Sequence, residues 1–259
     1  MSSQYGILSP DLKDFWWTKD EDPHVEIGSL LSSLREEQDP FYRDIRVFSD
    51  LYNGKQSSSQ NLHPSLRQPR LTFNVIHSIC QAATAKIAKH RPSVMFLTEG
   101  GDFSQKRKSK MLNKLVQGLF YELRIYRTAQ RAFLDCCISG TGVLKVFNYY
   151  GRPMVERVPL SEMTLDTIET INGNKPRQIF QTKVVARSIL IEMFPEMHGE
   201  IYAAKPLGSE YGDVYSESRK GDVVEVHEAW HLPSGPNASD GRHVICINNA
   251  TLLDEPYEK

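Results

Sequence analysis

Apolar positions along this chain follow two periods, a helical one in the first half and a strand-like one in the second. Ile27, Leu30, Leu31 and Leu34 predict a short amphipathic helix. Phe41, Ile45, Phe48 and Tyr52 predict another, entered through Asp39-Pro40 and closed by Asn53-Gly54. Ile76, Ile79, Cys80, Ala83 and Ile87 then recur at three- and four-residue steps. That spacing predicts a helix over residues 74–90, capped by Asn74 and barred from continuing by Pro92. Ala82, Ala83, Ala85 and Ala88 keep its surface low, so neighbouring backbones can approach closely. The run Val94 to Leu97 predicts a short strand. Leu112, Leu115, Val116, Leu119 and Leu123 mark one face of a helix over 104–124. Ala129, Ala132, Phe133 and Cys136 mark the inward face of a helix over 126–139, which Gly140-Thr141-Gly142 ends.

From residue 143 the period changes. Val143 to Tyr149 predicts a strand that turns at Tyr150-Gly151-Arg152-Pro153 and pairs with Met154 to Val158. After a turn at Asn172-Gly173, Ile179 to Val185 predicts the next strand. Arg187–Phe194 and Glu196–Lys205 read as helices broken by Pro195, and 206–222 as a mobile surface loop. Val223–Leu232 is a predicted strand, and Arg242–Ile247 pairs with Thr251–Leu253 through Asn248-Asn249. The fold class expected is α+β, a helical first half packed on antiparallel β-hairpins. Residues 1–70 read as an acidic, helical N-terminal arm and linker, with Phe15, Trp16 and Trp17 placed to dock on the rest. Residues 71–259 read as the α+β core, with 71–147 as its packed centre.

Composition is that of an ordinary globular chain, 40% hydrophobic and 24% charged over 259 residues. No run of about 18 apolar residues is present, so no membrane span is expected. The amino terminus lacks the basic and apolar regions of a secretory leader. Cys80, Cys136, Cys137 and Cys246 form no CxxC pair and read as small buried hydrophobes. Charge changes the picture more. The total of −1 conceals segregation: residues 61–131 carry thirteen basic and three acidic side chains, net +10, while the flanks carry −5 and −6. Such a middle is neutralised within the fold or across a subunit contact, or it meets an anionic partner.

Two clusters are candidate chemistry. His227-Glu228-Ala229-Trp230-His231 matches the zinc-peptidase HExxH pattern, which needs a helix so that both imidazoles reach one ion. Here preceding valines and Pro233 favour a strand. Four strand steps would hold the two Cα atoms about 13 Å apart, too far for two Zn–N bonds of about 2 Å to bridge readily. The second cluster is basic: Lys106, Arg107, Lys108, Lys110 and Lys114, near a helix start where the macrodipole disfavours cations. It reads as a solvated face, as a contact for phosphate, or as a contact for an acidic neighbouring subunit. No nucleophile–base pair, phosphate loop or GxSxG turn accompanies these clusters, so no enzymatic activity and no cofactor are expected.

The order of several motifs resembles the tailed-bacteriophage portal (head–tail connector) proteins, especially those of short-tailed phages. They are Leu51-Tyr52-Asn53-Gly54-Lys55-Gln56 closing a helix, Arg70-Leu71-Thr72-Phe73-Asn74-Val75 opening a long one, and its end at His90-Arg91-Pro92. Asp135 to Val146, the hairpin leading into Pro159 and Asp166, and Phe194-Pro195-Glu196 continue the likeness across residues 45–255. The resemblance implies a structural virion protein: a ring of twelve copies at one capsid vertex. Its implied partners are the major capsid protein, the packaging motor (terminase), a tail adaptor and double-stranded DNA passing through the axis. This part of the chain resembles the outer wing. Portal chains continue into stem, clip and often crown, and this one stops before them, so a truncated chain is expected and no tunnel-lining residue is assigned. Assembly in the host cytoplasm follows from the same likeness. A zinc peptidase built on His227, Glu228 and His231, or a nucleic-acid-binding adaptor built on the basic helix 105–114, are the rival readings.

Overall fold

A computed structural model of the chain describes residues 15–18, 22–55, 73–98, 100–149, 151–166, 175–206, 222–235 and 238–257. Packing divides the chain into two units: Met1–Asp39 with Glu162–Lys259, and Pro40–Ser161. This division falls elsewhere than the sequence boundary at residue 70. The first helix belongs with the C-terminal strands.

In the first unit, β3 (Met163–Leu165), β4 (Gln178–Ala186), β5 (Val223–His231), β6 (Arg242–Ile247) and β7 (Ala250–Pro256) form one antiparallel sheet in sequence order. Residues of one strand alternate between its faces, and each face is covered differently. α1 (Pro23–Glu37) places Ile27, Leu31 and Leu34 along one stripe, which packs with Phe180, Ala229, Val244 and Cys246. Trp16 completes that cluster, its indole Nε1 donating to Gln178 Oε1 at 3.0 Å. On the opposite face, Val224, Val226, Ile247, Ala250 and Leu252 pack with Leu190 of α6 (Arg187–Met193) and with Ile201 and Ala204 at α7 (His198–Ala203). The result is a helix–sheet–helix stack with two apolar cores.

The second unit holds α2 (Asp39–Tyr52), α3 (Val75–Lys89), α4 (Phe103–Glu122), α5 (Ile125–Ser139) and the hairpin β1 (Val143–Tyr149) with β2 (Arg152–Val158). Asn74 caps α3 by accepting from the His77 amide at 2.9 Å, and its own amide donates to the Tyr52 carbonyl at 2.7 Å. Gly140 closes α5 with φ 83°, in the left-handed region. Gly142 is required for another reason: a Cβ there would lie 2.0 Å from the Ala132 carbonyl oxygen. Arg157 of β2 grips Asp135 of α5 with two hydrogen bonds, fastening the hairpin to the helix.

The α+β class holds, and the long helices and hairpins fall within a few residues of their predicted ends. Two expectations do not hold, and one element was not expected. Residues 71–147 are not the packed centre: among the described residues of 40–161, only Ile45, Thr84, Ala132 and Val158 are buried, and α4 buries none. The apolar stripes exist, but the described residues leave much of them exposed. Val94–Leu97 is not a strand, because side chains take up the Phe96 backbone: Asn113 accepts from its amide at 2.8 Å and Ser109 donates to its carbonyl at 2.5 Å. β3 was not foreseen; three residues are too few to show a period. The Asn172-Gly173 turn and nearly all of the 206–222 loop lie outside the described residues.

Candidate functional site

The HExxH pattern lies on β5, a strand. His227 and His231 point to the face that α1 covers, and Glu228 points to the other, so the three side chains do not converge. Each has separate partners. His227 Nδ1 lies 3.1 Å from Thr182 Oγ1, and burial holds its pKa below the ordinary value against the opposing pull of Glu225. His231 is 1% exposed and stacks on Trp17 at 4.1 Å with the rings 10° from parallel; Phe15 continues the stack at 4.4 Å. Glu228 Oε1 meets His243 Nε2 at 3.0 Å, and Glu255 Oε1 meets Nδ1 at 2.9 Å. Burial alone would favour a neutral His243 ring, but the two carboxylates outweigh it and raise the pKa. The pattern is therefore an element of sheet packing, and the peptidase reading is overturned by the strand. Among the described residues no cluster of histidine, cysteine and carboxylate has a metal-binding arrangement.

Cys137 and Cys246 are equally unlike nucleophiles, whose thiol pKa must be depressed. Burial raises the Cys246 thiol to about 12. Cys137 is also raised, by desolvation first and then by Cys80 and Cys136. Cys246 is the one fully buried cysteine among the four; the other three are half-buried.

The basic cluster lies on α4, and helix geometry sorts its members. Lys106, Lys110 and Lys114 stand at four-residue steps, one line about 12 Å long, with Arg107 beside them. Lys108 falls on the other side, among Leu112, Leu115 and Leu119. All five are exposed. Asp102 caps the helix through the Gln105 amide at 2.9 Å, satisfying a donor without neutralising the lysines. None of the five has an ion pair among the described residues, and Lys106, in the first turn, costs about 0.3–1 kcal/mol against the macrodipole.

The same unit exposes apolar side chains in number. Ile76, Ile79 and Ile87 of α3 stand outside, with Ile79 at 63%, while Cys80, Ala83, Thr84 and Ala88 are the shielded positions. On α4, Phe103 is 83% exposed, Leu115 58% and Tyr121 87%. Residues 40–161 carry nineteen basic and seven acidic side chains, net +12; the other unit carries twelve and twenty-five, net −13. Sequence windows had shown the sign of this segregation, but its extent follows the packing units.

One acidic surface escaped the sequence reading. Glu192, Glu196 and Glu200 are exposed on the helical layer 187–206, where Ile189, Met193 and Tyr202 are exposed as well. The four-residue spacing was visible, but Pro195 breaks the helix between them, so periodicity did not associate them.

Compared with known proteins, the chain is matched over residues 34–233 by a family model described as phage P22-like portal protein. A search of curated proteins found no match.

Proposed function

The chain belongs to the phage P22-like portal protein family, a family of structural phage components, and from that premise we propose that it forms a closed ring at one capsid vertex. Twelve copies surround an axis through which double-stranded DNA is packaged by the terminase motor and later ejected. The outer surface meets the major capsid protein, and the tail adaptor attaches afterwards. Residues 40–161 and the sheet unit together form the wing-like part. The protein assembles in the host cytoplasm, resides in the virion and carries out no bond-making reaction.

One observation carries this reading beyond the family match: among the described residues of the unit Pro40–Ser161 few are buried, and its helices expose apolar side chains. A monomer has no use for such faces, and large exposed apolar patches mark association sites. Closed rings need a heterologous contact, one surface against a different surface of the next copy. Charges of +12 and −13 on two units of one chain support a contact of that kind. Lys106, Arg107, Lys108, Lys110 and Lys114 are then contact residues.

Negative-stain images and sedimentation velocity of the purified chain test the reading. Closed rings of uniform diameter are expected. A monodisperse monomer at all concentrations overturns it, and salt-sensitive retention of duplex DNA by that monomer would favour the adaptor reading.

A further inference from the structure

Resting on the ring reading, we infer that the basic line of α4 in one copy docks on the acidic helical layer of the next, formed by α6, α7 and the turn between them. The two surfaces are matched in kind. Lys106, Lys110 and Lys114 stand exposed in one line. Glu192, Glu196 and Glu200 stand exposed on the layer. Apolar side chains accompany both sets: Phe103, Met111 and Tyr121 on α4, and Ile189, Met193 and Tyr202 on the layer. Contact would therefore bury hydrocarbon between rows of opposite charge, the composition of an interface with an apolar centre and a polar rim.

The choice of partner is narrowed by which charges are already engaged. Arg35 pairs with Glu225, Arg187 with Asp222, Arg242 with Asp254 and Arg157 with Asp135. Glu26, Glu37 and Asp39 at the first helix, and Lys205 at the end of the layer, have partners too. The three lysines and three glutamates have no ion pair among the described residues. They belong to units of opposite net charge, so attraction also orients the approach of one copy to another. An anionic strand would satisfy the lysines but would leave the glutamates and the apolar residues of both surfaces without a role.

The test is charge exchange followed by sedimentation velocity on the whole chain. The wild-type chain assembles, and assembly weakens as salt rises. K106E/K110E/K114E and E192K/E196K/E200K each raise the concentration for half-assembly at least about tenfold, three exposed pairs being lost at every contact. Combining both sets returns it to within about threefold of wild type. All six positions are exposed, so the helical circular dichroism and tryptophan fluorescence of each variant match wild type. A lysine variant that assembles like wild type overturns the inference while leaving the ring intact. So does a combined variant no better than either parent. Loss of duplex-DNA binding with unchanged assembly assigns the lysines to nucleic acid instead and also overturns it. Wild-type chain that never assembles defeats the ring reading itself. As a second measurement, carbodiimide coupling in a mixture of ¹⁴N and ¹⁵N chains should give lysine–glutamate peptides of mixed isotope joining these residues; same-isotope products alone reject a contact between copies.

Discussion

Arg187 opens α6 with its guanidinium almost wholly buried, 7% exposed. Nε donates to both Asp222 oxygens, at 2.9 and 2.8 Å. Nη1 donates to the Ile201 and Tyr202 carbonyls, and Nη2 to the Ala204 carbonyl at 3.0 Å. The group thus donates to carbonyls at the C-terminal end of α7, where intrahelical partners run out. In Arg187→Met the apolar stem is retained but these donors are lost. Tyr202 is exposed, so water can replace its donor; Ile201 and Ala204 are buried. The Ile201 carbonyl keeps the Ala204 amide as a donor at 3.3 Å. One buried carbonyl, that of Ala204, is therefore left without a donor, at a cost of about 1–3 kcal/mol. With the weakened bonding at Ile201, a loss of about 2–3 kcal/mol is expected. The ion pair contributes little by comparison, because the Asp222 side chain is 63% exposed. Asp222→Asn should therefore cost under about 1 kcal/mol. All three tryptophans, Trp16, Trp17 and Trp230, lie in the sheet unit, so urea titration followed by their fluorescence reports that unit. An Arg187→Met variant within about 1 kcal/mol of wild type, or an Asp222→Asn variant as damaged as Arg187→Met, would refute the carbonyl argument.

Gly142→Ala should destabilise the helical unit by about 2–3 kcal/mol because its Cβ meets backbone, whereas Gly118→Ala, in open space on α4, should stabilise it by about 0.5–1 kcal/mol; thermal melts by circular dichroism compare the two. Phe180→Ala, at 0% exposure, should cost about 3–5 kcal/mol by urea titration. Leu115→Ser should change the stability of unassembled chain by under about 1 kcal/mol, since the side chain is already more than half exposed. The histidines give opposite pH dependences. His243 has a raised pKa when folded, so its contribution is full below the ordinary value and is lost as pH climbs through the folded one. His227 has a lowered pKa, so its contribution is full above the ordinary value and is lost as pH falls towards the folded one. Melting curves from pH 5 to 8 should lose alkaline sensitivity in His243→Gln and acid sensitivity in His227→Gln.

Local signals were legible and non-local ones were not. Asn74, Pro92 and Gly140 act within a turn of their own position, and α3 and α5 begin and end where those residues dictate. The valines before His227 and Pro233 beyond it distinguished strand from helix, which removed the peptidase reading. The stripe Ile76, Ile79 and Ile87 announces an apolar helix face, but whether this chain or another molecule covers it depends on residues far along the sequence. Placing the core in 71–147 assumed intramolecular cover. Trp16 shows the converse: no local period marks it, and it is buried because Gln178, 162 positions later, offers an acceptor beside Phe180. Of the basic cluster, the sequence told that five cations share one helix; that Lys108 turns away from Lys106, Lys110 and Lys114 is a matter of helical angle.

The sheet unit is built from two sequence segments, and residues 40–161 run between them. Synthesis therefore completes α3, α4 and α5 before the strands that give Trp16 and α1 their seat. At ordinary elongation rates the stretch Glu162–Lys259 takes roughly 5–20 s. During that interval the adhesive helices are already on the ribosome's exterior while the acidic half, to which a neighbouring copy would bind, has not closed. If the proposed contact between copies holds, premature clustering of nascent chains is limited by timing, because the receptor surface forms after the helices that would bind it.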